Sequence, residues 1–152
     1  MMDDSLKRTL KRAGISCVNF NLKRASRLSA RFFDTALRPV GITSVQLSVL
    51  IALGFYNQCS MSELAEQTSM ERTTLTRNLS LLERDGLVCP VNCNDKRKHL
   101  VELTSAGEKI LKKAMPIWEE AQNQMLKMLG EEEWAQARRV LGKVSESNLA
   151  RL

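Results

Sequence analysis

The sequence predicts a mainly α-helical protein with one small β-hairpin, which is an α+β fold. Apolar residues recur at steps of three and four over most of the chain, the period of an amphipathic helix. Strand-like segments at 87–91 and 99–104 flank an exposed polar tip. Two short helical patterns come directly before these strands. Residues 61–104 therefore have the layout of a helix-turn-helix followed by a β-ribbon, or wing.

Length, charge and cysteine content narrow the class of protein. The chain has 152 residues and a formal net charge of +6, so it fits one domain and favours polyanionic partners. No apolar run approaches the ~18–20 residues that span a membrane, and the first residues lack the apolar segment of a signal peptide. Four cysteines in a chain of this size do not suggest a disulfide scaffold. We therefore expect a cytoplasmic protein with reduced thiols and no membrane contact.

Capping and breaking residues predict where the first helices begin and end. The spacing predicts a helix over 16–38, which Pro39 ends because proline opposes continuation. Thr43 and Gln46 have the spacing of a capping box and open a second helix. This second helix is predicted to stop near Gly54.

The next elements form the predicted helix-turn-helix and wing. Ser60 and Glu63 have the same capping-box spacing and open a third helix. A fourth helix is predicted over 71–84, with Gly86 in the usual position after a helix end. The two strands follow, and Pro90 suits only an edge strand because it cannot donate to a neighbour.

The chain is predicted to be helical from Thr104 to its end, with a break at Gly130. Apolar residues in this part alternate at steps of three and four, which is a seam suited to packing against another helix. The seam consists of Leu111, Ala114, Trp118, Ala121, Met125 and Met128.

The amphipathic terminal segments predict that the chain associates with a second copy of itself. We expect a single domain, 1–152, in which residues 43–104 form a winged helix-turn-helix lobe that binds DNA. Residues 1–40 and 105–152 are predicted to form amphipathic helices outside this lobe. We expect these segments to be the dimerisation region of a homodimer, since a two-fold dimer suits palindromic DNA. The alternative is a helical pair within a monomer.

The fourth helix has two contrasting faces. On a wheel of ~100° per residue, Leu75, Leu79 and Leu82 share one arc, which we expect to face the core. The opposite side carries arginines and short hydroxyls without an acid. Arginine bridges guanine O6 and N7, and threonine meets a thymine methyl or a phosphate. The expected DNA contacts on this helix are Arg72, Thr73, Thr74, Thr76, Arg77, Ser80 and Arg84. The alternative is an ordinary solvated face.

The wing tip is the second expected DNA contact. Arg97 would enter a narrow minor groove, where the potential is most negative. Lys96 and Lys98 alternate with it and would reach phosphates. Asp95 is expected to stabilise the wing, through an Asx-type turn or an ion pair with Arg97. The alternative is a solvated hairpin turn.

Five segments resemble the MarR family of winged-helix transcription regulators, over about residues 16–145. They are residues 37–43 followed by Gln46, then 70–77, 82–88, 95–97 and 103–107. The resemblance implies a homodimer held by its N- and C-terminal helices on a pseudo-palindromic operator, with the fourth helix in a major groove. Asp95 and Arg97 fill the family's D-x-R wing motif, which implies a wing in the adjacent minor groove. Members are mostly repressors, and many are released by a small, often phenolic, anion.

Cys17 is the candidate redox sensor, because other members respond to oxidation of a cysteine. It lies at the start of the first predicted helix, with Lys23 and Arg24 nearby in sequence, and both features favour a thiolate. The peroxide-sensing branch of the family uses a cysteine near this position together with two tyrosines, whereas this chain has only Tyr56. The alternative is a small buried residue in the dimer interface.

The other cysteines predict no metal site. Cys89 and Cys93 are four residues apart, which spans ~13 Å along a strand and exceeds the reach of one zinc ion or one disulfide. Only a sharp bend at 90–92 would join them. Cys59 is predicted to lie in a short loop without a partner.

Catalysis is the main competing function, and the residues argue against it. The chain has a single histidine, His99, and no glycine-rich phosphate loop, so we expect neither an enzyme nor a cofactor. A sequence-indifferent architectural DNA-binding protein remains as the alternative, although Arg77 with Thr73 and Thr76 argues against it. We expect a homodimeric repressor of stress-response or similar genes, released from double-stranded DNA by a small aromatic or anionic ligand or by oxidation.

Overall fold

The computed structural model describes residues 3–91 and 100–146. Within these residues the chain forms seven α-helices, one 3₁₀ turn at Arg38–Val40 and one small antiparallel sheet. The helices are α1 (Asp4–Ser16), α2 (Val18–Leu37), α3 (Ser44–Tyr56), α4 (Met61–Thr68), α5 (Arg72–Arg84), α6 (Ser105–Leu129) and α7 (Glu131–Glu146). The strands are β1 (Gln58–Ser60), β2 (Val88–Pro90) and β3 (Leu100–Leu103). The predicted fold class, mainly α with a small β-hairpin wing in a winged helix-turn-helix, is confirmed.

Both predicted capping boxes are present. The Thr43 amide donates to Gln46 Oε1 at 2.9 Å, and Thr43 Oγ1 accepts from the Gln46 amide at 3.2 Å. The Ser60 amide donates to Glu63 Oε2 at 2.7 Å, and Ser60 Oγ accepts from the Glu63 amide at 3.3 Å. These bonds satisfy amides that the first helical turn leaves unpaired. They set the starts of α3 and α4.

Two predicted helix boundaries are wrong. The helix predicted over 16–38 begins at Val18, and a separate helix, α1, precedes it. Cys17 separates the two because its backbone is extended, with φ −68° and ψ 114°. Helix α3 runs past Gly54 to Tyr56, and it ends where Asn57 has a φ of 65°. Gly54 lies inside α3 at a close approach to α6, because an added Cβ would lie 2.9 Å from Leu111 Cδ2.

The sheet contains one more strand than predicted. Its order is β1-β3-β2, with Cys59 opposite Val101 and Val88 opposite Leu103. Strand β2 is therefore an edge strand, as Pro90 predicts. The prediction of a loop at Cys59 is wrong, because this residue lies in β1 and is only 2% exposed.

The hydrophobic core joins the terminal helices to the middle of the chain. Leu37 from α2, Leu50 from α3, Leu75 from α5 and Ala114 from α6 are all fully buried in one cluster. Helix α6 contacts both α2 and α3. These contacts fix the position of α5 relative to the terminal helices.

The seam on α6 packs mainly within its own chain. Ala114 and Ala121 are buried, and Leu111 and Trp118 pack against the core cluster. Helices α2 and α3 of the same chain contact α6, while Trp118 and Met125 also line an open groove. The expectation that the seam contacts a second copy stays a prediction. Met128, at the far end of the seam, is 68% exposed.

Among the described residues, no single helix combines the length and the apolarity needed to cross a membrane. Val18–Val40 and Ser44–Tyr56 meet that criterion only as a pair bent by 72°.

The buried Cys59 thiol is expected to react slowly with alkylating reagents. Burial raises the pKa of Cys59, and the Glu63 carboxylate raises it further, so its thiolate forms only at a higher pH than usual. Cys17 is exposed. With iodoacetamide at pH 8.5, peptide mass spectrometry should show Cys59 modified more slowly than the exposed Cys17, because burial shields the Cys59 thiol and its raised pKa leaves less thiolate. In denaturant the two rates should converge. Equal alkylation rates for Cys59 and Cys17 in the native protein would contradict the burial of the Cys59 thiol.

Candidate nucleic-acid interface

A tight turn places α5 across α4. Ser69 ends α4 in the left-handed region, with φ 51°, and its amide donates to the Glu66 carbonyl at 3.3 Å. The Met70 amide donates to the Ala65 carbonyl at 3.2 Å. Leu64 of α4 lies fully buried in the same core as the buried face of α5. This is the packing of a helix-turn-helix, in which the second helix is presented outward.

The two predicted faces of α5 are confirmed. Leu75, Leu79 and Leu82 are buried. The predicted contact residues are all exposed, namely Arg72, Thr73, Thr74, Thr76, Arg77, Ser80 and Arg84. We call this surface the reading face. Contact between these residues and DNA stays a prediction, and their exposure is compatible with it.

Two arginines of the reading face are free to bind an external anion. Within residues 3–91 and 100–146, neither Arg72 nor Arg77 has an ion-pair partner. Arg84 differs, because Asp85 Oδ1 accepts from its Nε at 3.1 Å and lies 3.1 Å from its Nη2. Asp85 thus competes with DNA for Arg84. This neighbour makes Arg84 a weaker candidate than Arg77.

The hydroxyl of Thr76 is partly engaged by its own helix. Thr76 Oγ1 donates to the Arg72 carbonyl at 2.8 Å, so its oxygen lone pairs and its methyl group remain for a ligand. Asn78 Nδ2 likewise donates to the Thr74 carbonyl at 2.8 Å. The Thr76 methyl is suited to contact with a thymine methyl.

The start of α5 has backbone amides without a side-chain cap, which the sequence pattern did not predict. Glu71 occupies the N-cap position but makes no side-chain cap hydrogen bond, and the first turn holds no acid. The first amides of α5 are therefore open to an incoming phosphate. A serine or threonine cap, as at α3 and α4, would have occupied one of them.

The base of the wing is anchored beside the end of α5. Gly86 follows α5 with a φ of 70°. Thr104 Oγ1 donates to the Gly86 carbonyl at 2.6 Å, and the Thr104 amide donates to the Leu87 carbonyl at 3.1 Å. The Val91 amide donates to the Leu100 carbonyl at 2.8 Å and closes the described part of the ribbon. The wing thus leaves the sheet at a fixed point next to the reading face.

The tip of the wing lies outside the described residues. Asp95, Lys96, Arg97 and Lys98 fall in the range 92–99, as do Cys93 and His99. Their predicted roles remain predictions. Among the described residues, no group of three or more histidine, cysteine, aspartate or glutamate side chains is arranged to hold a metal ion.

Cys17 lies at the corner between α1 and α2. It is exposed in the single chain. Its burial in a dimer interface stays the alternative hypothesis. It occupies the N-cap position of α2 and makes no side-chain cap hydrogen bond there. Its role as a redox sensor remains a prediction.

Comparison with known proteins identifies the family. A family model described as MarR family matches residues 40–97, which include the reading face and residues Lys96 and Arg97. The crystal structure of the M. tuberculosis transcriptional regulator MosR in complex with DNA superposes with a TM-score of 0.78 at 37% identity, covering 86% of this chain and 95% of MosR. The chain belongs to the MarR family. It is a DNA-binding transcriptional regulator, and the family is one of regulators rather than enzymes.

Two further proteins are similar to this MarR-family chain. An uncharacterised HTH-type transcriptional regulator of Bacillus subtilis, YwoH, is 34% identical over 88 residues, which are 58% of this chain. The chain spans 64% of the length of YwoH. The structure of NadR in complex with 4-hydroxyphenylacetate has a TM-score of 0.68 at 26% identity, and the match covers 86% of this chain and 94% of NadR.

Proposed function

We propose that this MarR-family regulator acts in the cytoplasm as a homodimeric repressor that reads a pseudo-palindromic DNA operator. The observation that carries the proposal is the reading face of α5, on which Arg72 and Arg77 are exposed and have no ion-pair partner among residues 3–91 and 100–146. Hydroxyls beside arginines suit base edges and phosphates together. MosR, at 37% identity, is known in a complex with DNA.

The surface of the terminal helices supports a dimer. Large apolar side chains are exposed on helices at both ends of the chain, including Leu10 and Leu28 near the start and Met128 and Val140 near the end. Leu28 and Met128 line the same open groove, and exposed apolar residues grouped in this way mark an interaction surface. Two copies related by a two-fold axis would present two reading faces to two half-sites.

A small depression beside α3 supports release by an effector. It has a volume of about 180 Å³ and is lined by Phe33, Ser48, Ile51 and Trp118, among others. Aromatic walls with a hydroxyl suit a small aromatic ligand. The depression also borders Ser44, whose amide donates to Asp34 Oδ1 at 2.6 Å and thereby links α2 to α3. A ligand bound here would contact α2, α3 and α6 where the terminal helices pack against the DNA-binding lobe.

The alternative is an architectural protein that binds DNA without regard to sequence. Such a protein needs phosphate contacts alone. Thr73 and Thr76 beside Arg77 favour base reading, because threonine methyl groups add nothing to phosphate binding.

Light scattering of the chain, alone and with DNA from upstream of its own gene, tests this proposal. We expect two chains per particle at micromolar concentration and two chains per duplex. Footprinting should show two protected half-sites about 10–10.5 base pairs apart, one helical turn. A salicylate-like anion should reduce the bound fraction. One chain per particle in both states would remove the dimer from the proposal.

A further inference from the structure

Asp34 lies in the last turn of α2 and contacts the start of α3. Its Oδ1 accepts from the Ser44 amide at 2.6 Å, across ten residues of the chain. Asp34 is half-buried and has no ion-pair partner within residues 3–91 and 100–146. A carboxylate that accepts from a backbone amide forms a short, charge-assisted hydrogen bond. The carboxylate is therefore directed at α3 and not at a neighbouring cation.

The bond from Ser44 to Asp34 adds a second acceptor to the cap of α3. The first turn of a helix leaves amides without partners inside that helix. Thr43 Oγ1 accepts from the Gln46 amide at 3.2 Å, whereas the acceptor of the Ser44 amide comes from α2. The negative charge of Asp34 also suits the start of a helix. The Ser44 amide thus loses this acceptor when α2 moves away from α3.

The turn between α2 and α3 leaves the angle between the two helices adjustable. It consists of the 3₁₀ turn at Arg38–Val40 and Gly41, which has a φ of 73° and no atom within 4 Å of an added Cβ. Glycine reaches other backbone conformations at little cost. The buried Leu37 holds α2 against the core, but apolar contacts have no preferred direction. A hydrogen bond is directional, so the bond to Asp34 selects one angle.

Helix α3 transmits this constraint to the reading face. It contacts both α4 and α5, and Leu50 of α3 lies in the same buried cluster as Leu75 of α5. Helix α2 belongs to the terminal region that the proposed homodimer shares. The angle between α2 and α3 therefore determines where each reading face lies relative to the other copy.

We propose that Asp34 is a positioning residue that fixes the orientation of the DNA-binding lobe on α2, and thereby the separation of the two reading faces. It acts through the Ser44 amide and not through contact with DNA. The second part of this inference rests on the proposed homodimer with two half-sites. Without the bond, each reading face stays intact while its lobe turns on the terminal helices.

Operators of altered spacing test the positioning role. One base pair added between the half-sites rotates one against the other by about 34°. We expect the added base pair to raise the Kd of the wild-type protein at least about tenfold and that of Asp34→Ala less than about threefold. A base-pair change inside a half-site should affect both proteins equally. Asp34→Asn should keep most of the wild-type penalty, because its amide oxygen still accepts from Ser44.

Thr43→Ala is the matched control for the loss of a cap. It removes the acceptor of the Gln46 amide from the same helix start and leaves the bond from Ser44 to Asp34 in place. Weakening of α3 alone would affect both variants. We therefore expect Thr43→Ala to retain the wild-type spacing penalty, and an equal reduction in both variants would overturn the positioning role.

Electron paramagnetic resonance measures the orientation within one chain. Spin labels on p-acetylphenylalanine replace Arg27 of α2 and Glu66 of α4, which are both exposed. Dilution with an excess of the unlabelled chain removes distances between copies. The distance distribution should be narrow in the wild-type and Asp34→Asn proteins and broader, or split, in Asp34→Ala. An unchanged distribution in Asp34→Ala would overturn the proposal.

The outcomes separate this inference from the proposed function. A wild-type preference for one spacing that Asp34→Ala retains would overturn the role of Asp34 and leave the proposed operator standing. A wild-type protein that protects one half-site and binds every spacing equally would overturn the separation of two reading faces together with the proposed operator. The distances within one chain would then still decide whether Asp34 orients the lobe.

Discussion

The Gly107→Ala variant is expected to be about 3 kcal/mol less stable than the wild-type protein, at the upper end of the usual cost of overpacking. Gly107 is buried in the first turn of α6, and an added Cβ would overlap the Leu87 carbonyl oxygen and lie 3.0 Å from its carbon. The same segment carries the bonds from Thr104 to Gly86 and Leu87. Neither backbone can move without breaking the anchor of the wing.

Urea unfolding followed by circular dichroism measures this effect. The matched control is Gly142→Ala, because Gly142 lies in α7 with no neighbouring atom within 4 Å of an added Cβ. There alanine should stabilise the helix by up to about 1 kcal/mol. If Gly107→Ala unfolds at the wild-type urea concentration, the close approach of α6 to the base of the wing is not as described.

The Arg77→Ala variant is expected to lose about 1–3 kcal/mol of discrimination at one base pair of the operator. Arg77 is exposed on the reading face without an ion-pair partner among the described residues, so its guanidinium is free to bridge a guanine. Arg77→Lys retains the charge and loses the two-pronged geometry. The lysine variant should therefore keep the salt dependence of binding but lose the preference at that base pair.

Binding titrations against single-base-pair variants of the operator measure this preference. Arg139→Ala is the control, because Arg139 is exposed on α7, outside the reading face. A uniform loss of affinity across all duplexes for Arg77→Ala would assign Arg77 to phosphate binding.

Features set by residues close in sequence were predictable. The capping boxes at Thr43 and Ser60 depend on residues three apart, and the faces of α5 depend on the helical period. Strand β1 was missed because three residues are too few to establish an alternation, and the partner of Gln58, Glu102, lies far along the chain. The seam on α6 shows the same limit, because periodicity indicates that a face is buried without indicating which helix covers it.

In the candidate site, too, features set by the helical period were predictable and features set by local backbone geometry were not. Exposure of Thr73 and Arg77 follows from the position of the leucines on the opposite face of α5. The ion pair between Arg84 and Asp85 depends on how the end of α5 turns, and the open amides beside Glu71 depend on a side chain that does not cap. Separation of α1 from α2 depends on the backbone of Cys17, which no periodic pattern specifies.

A competition titration tests most directly that this regulator reads DNA sequence through α5. Wild-type protein is bound to a labelled duplex from upstream of its gene at physiological salt, then displaced by the same duplex unlabelled or by one of shuffled sequence. We predict that the shuffled duplex competes at least about a thousandfold less well, the lower bound for specific over non-specific binding. Equal competition by both duplexes would contradict sequence reading and favour an architectural protein.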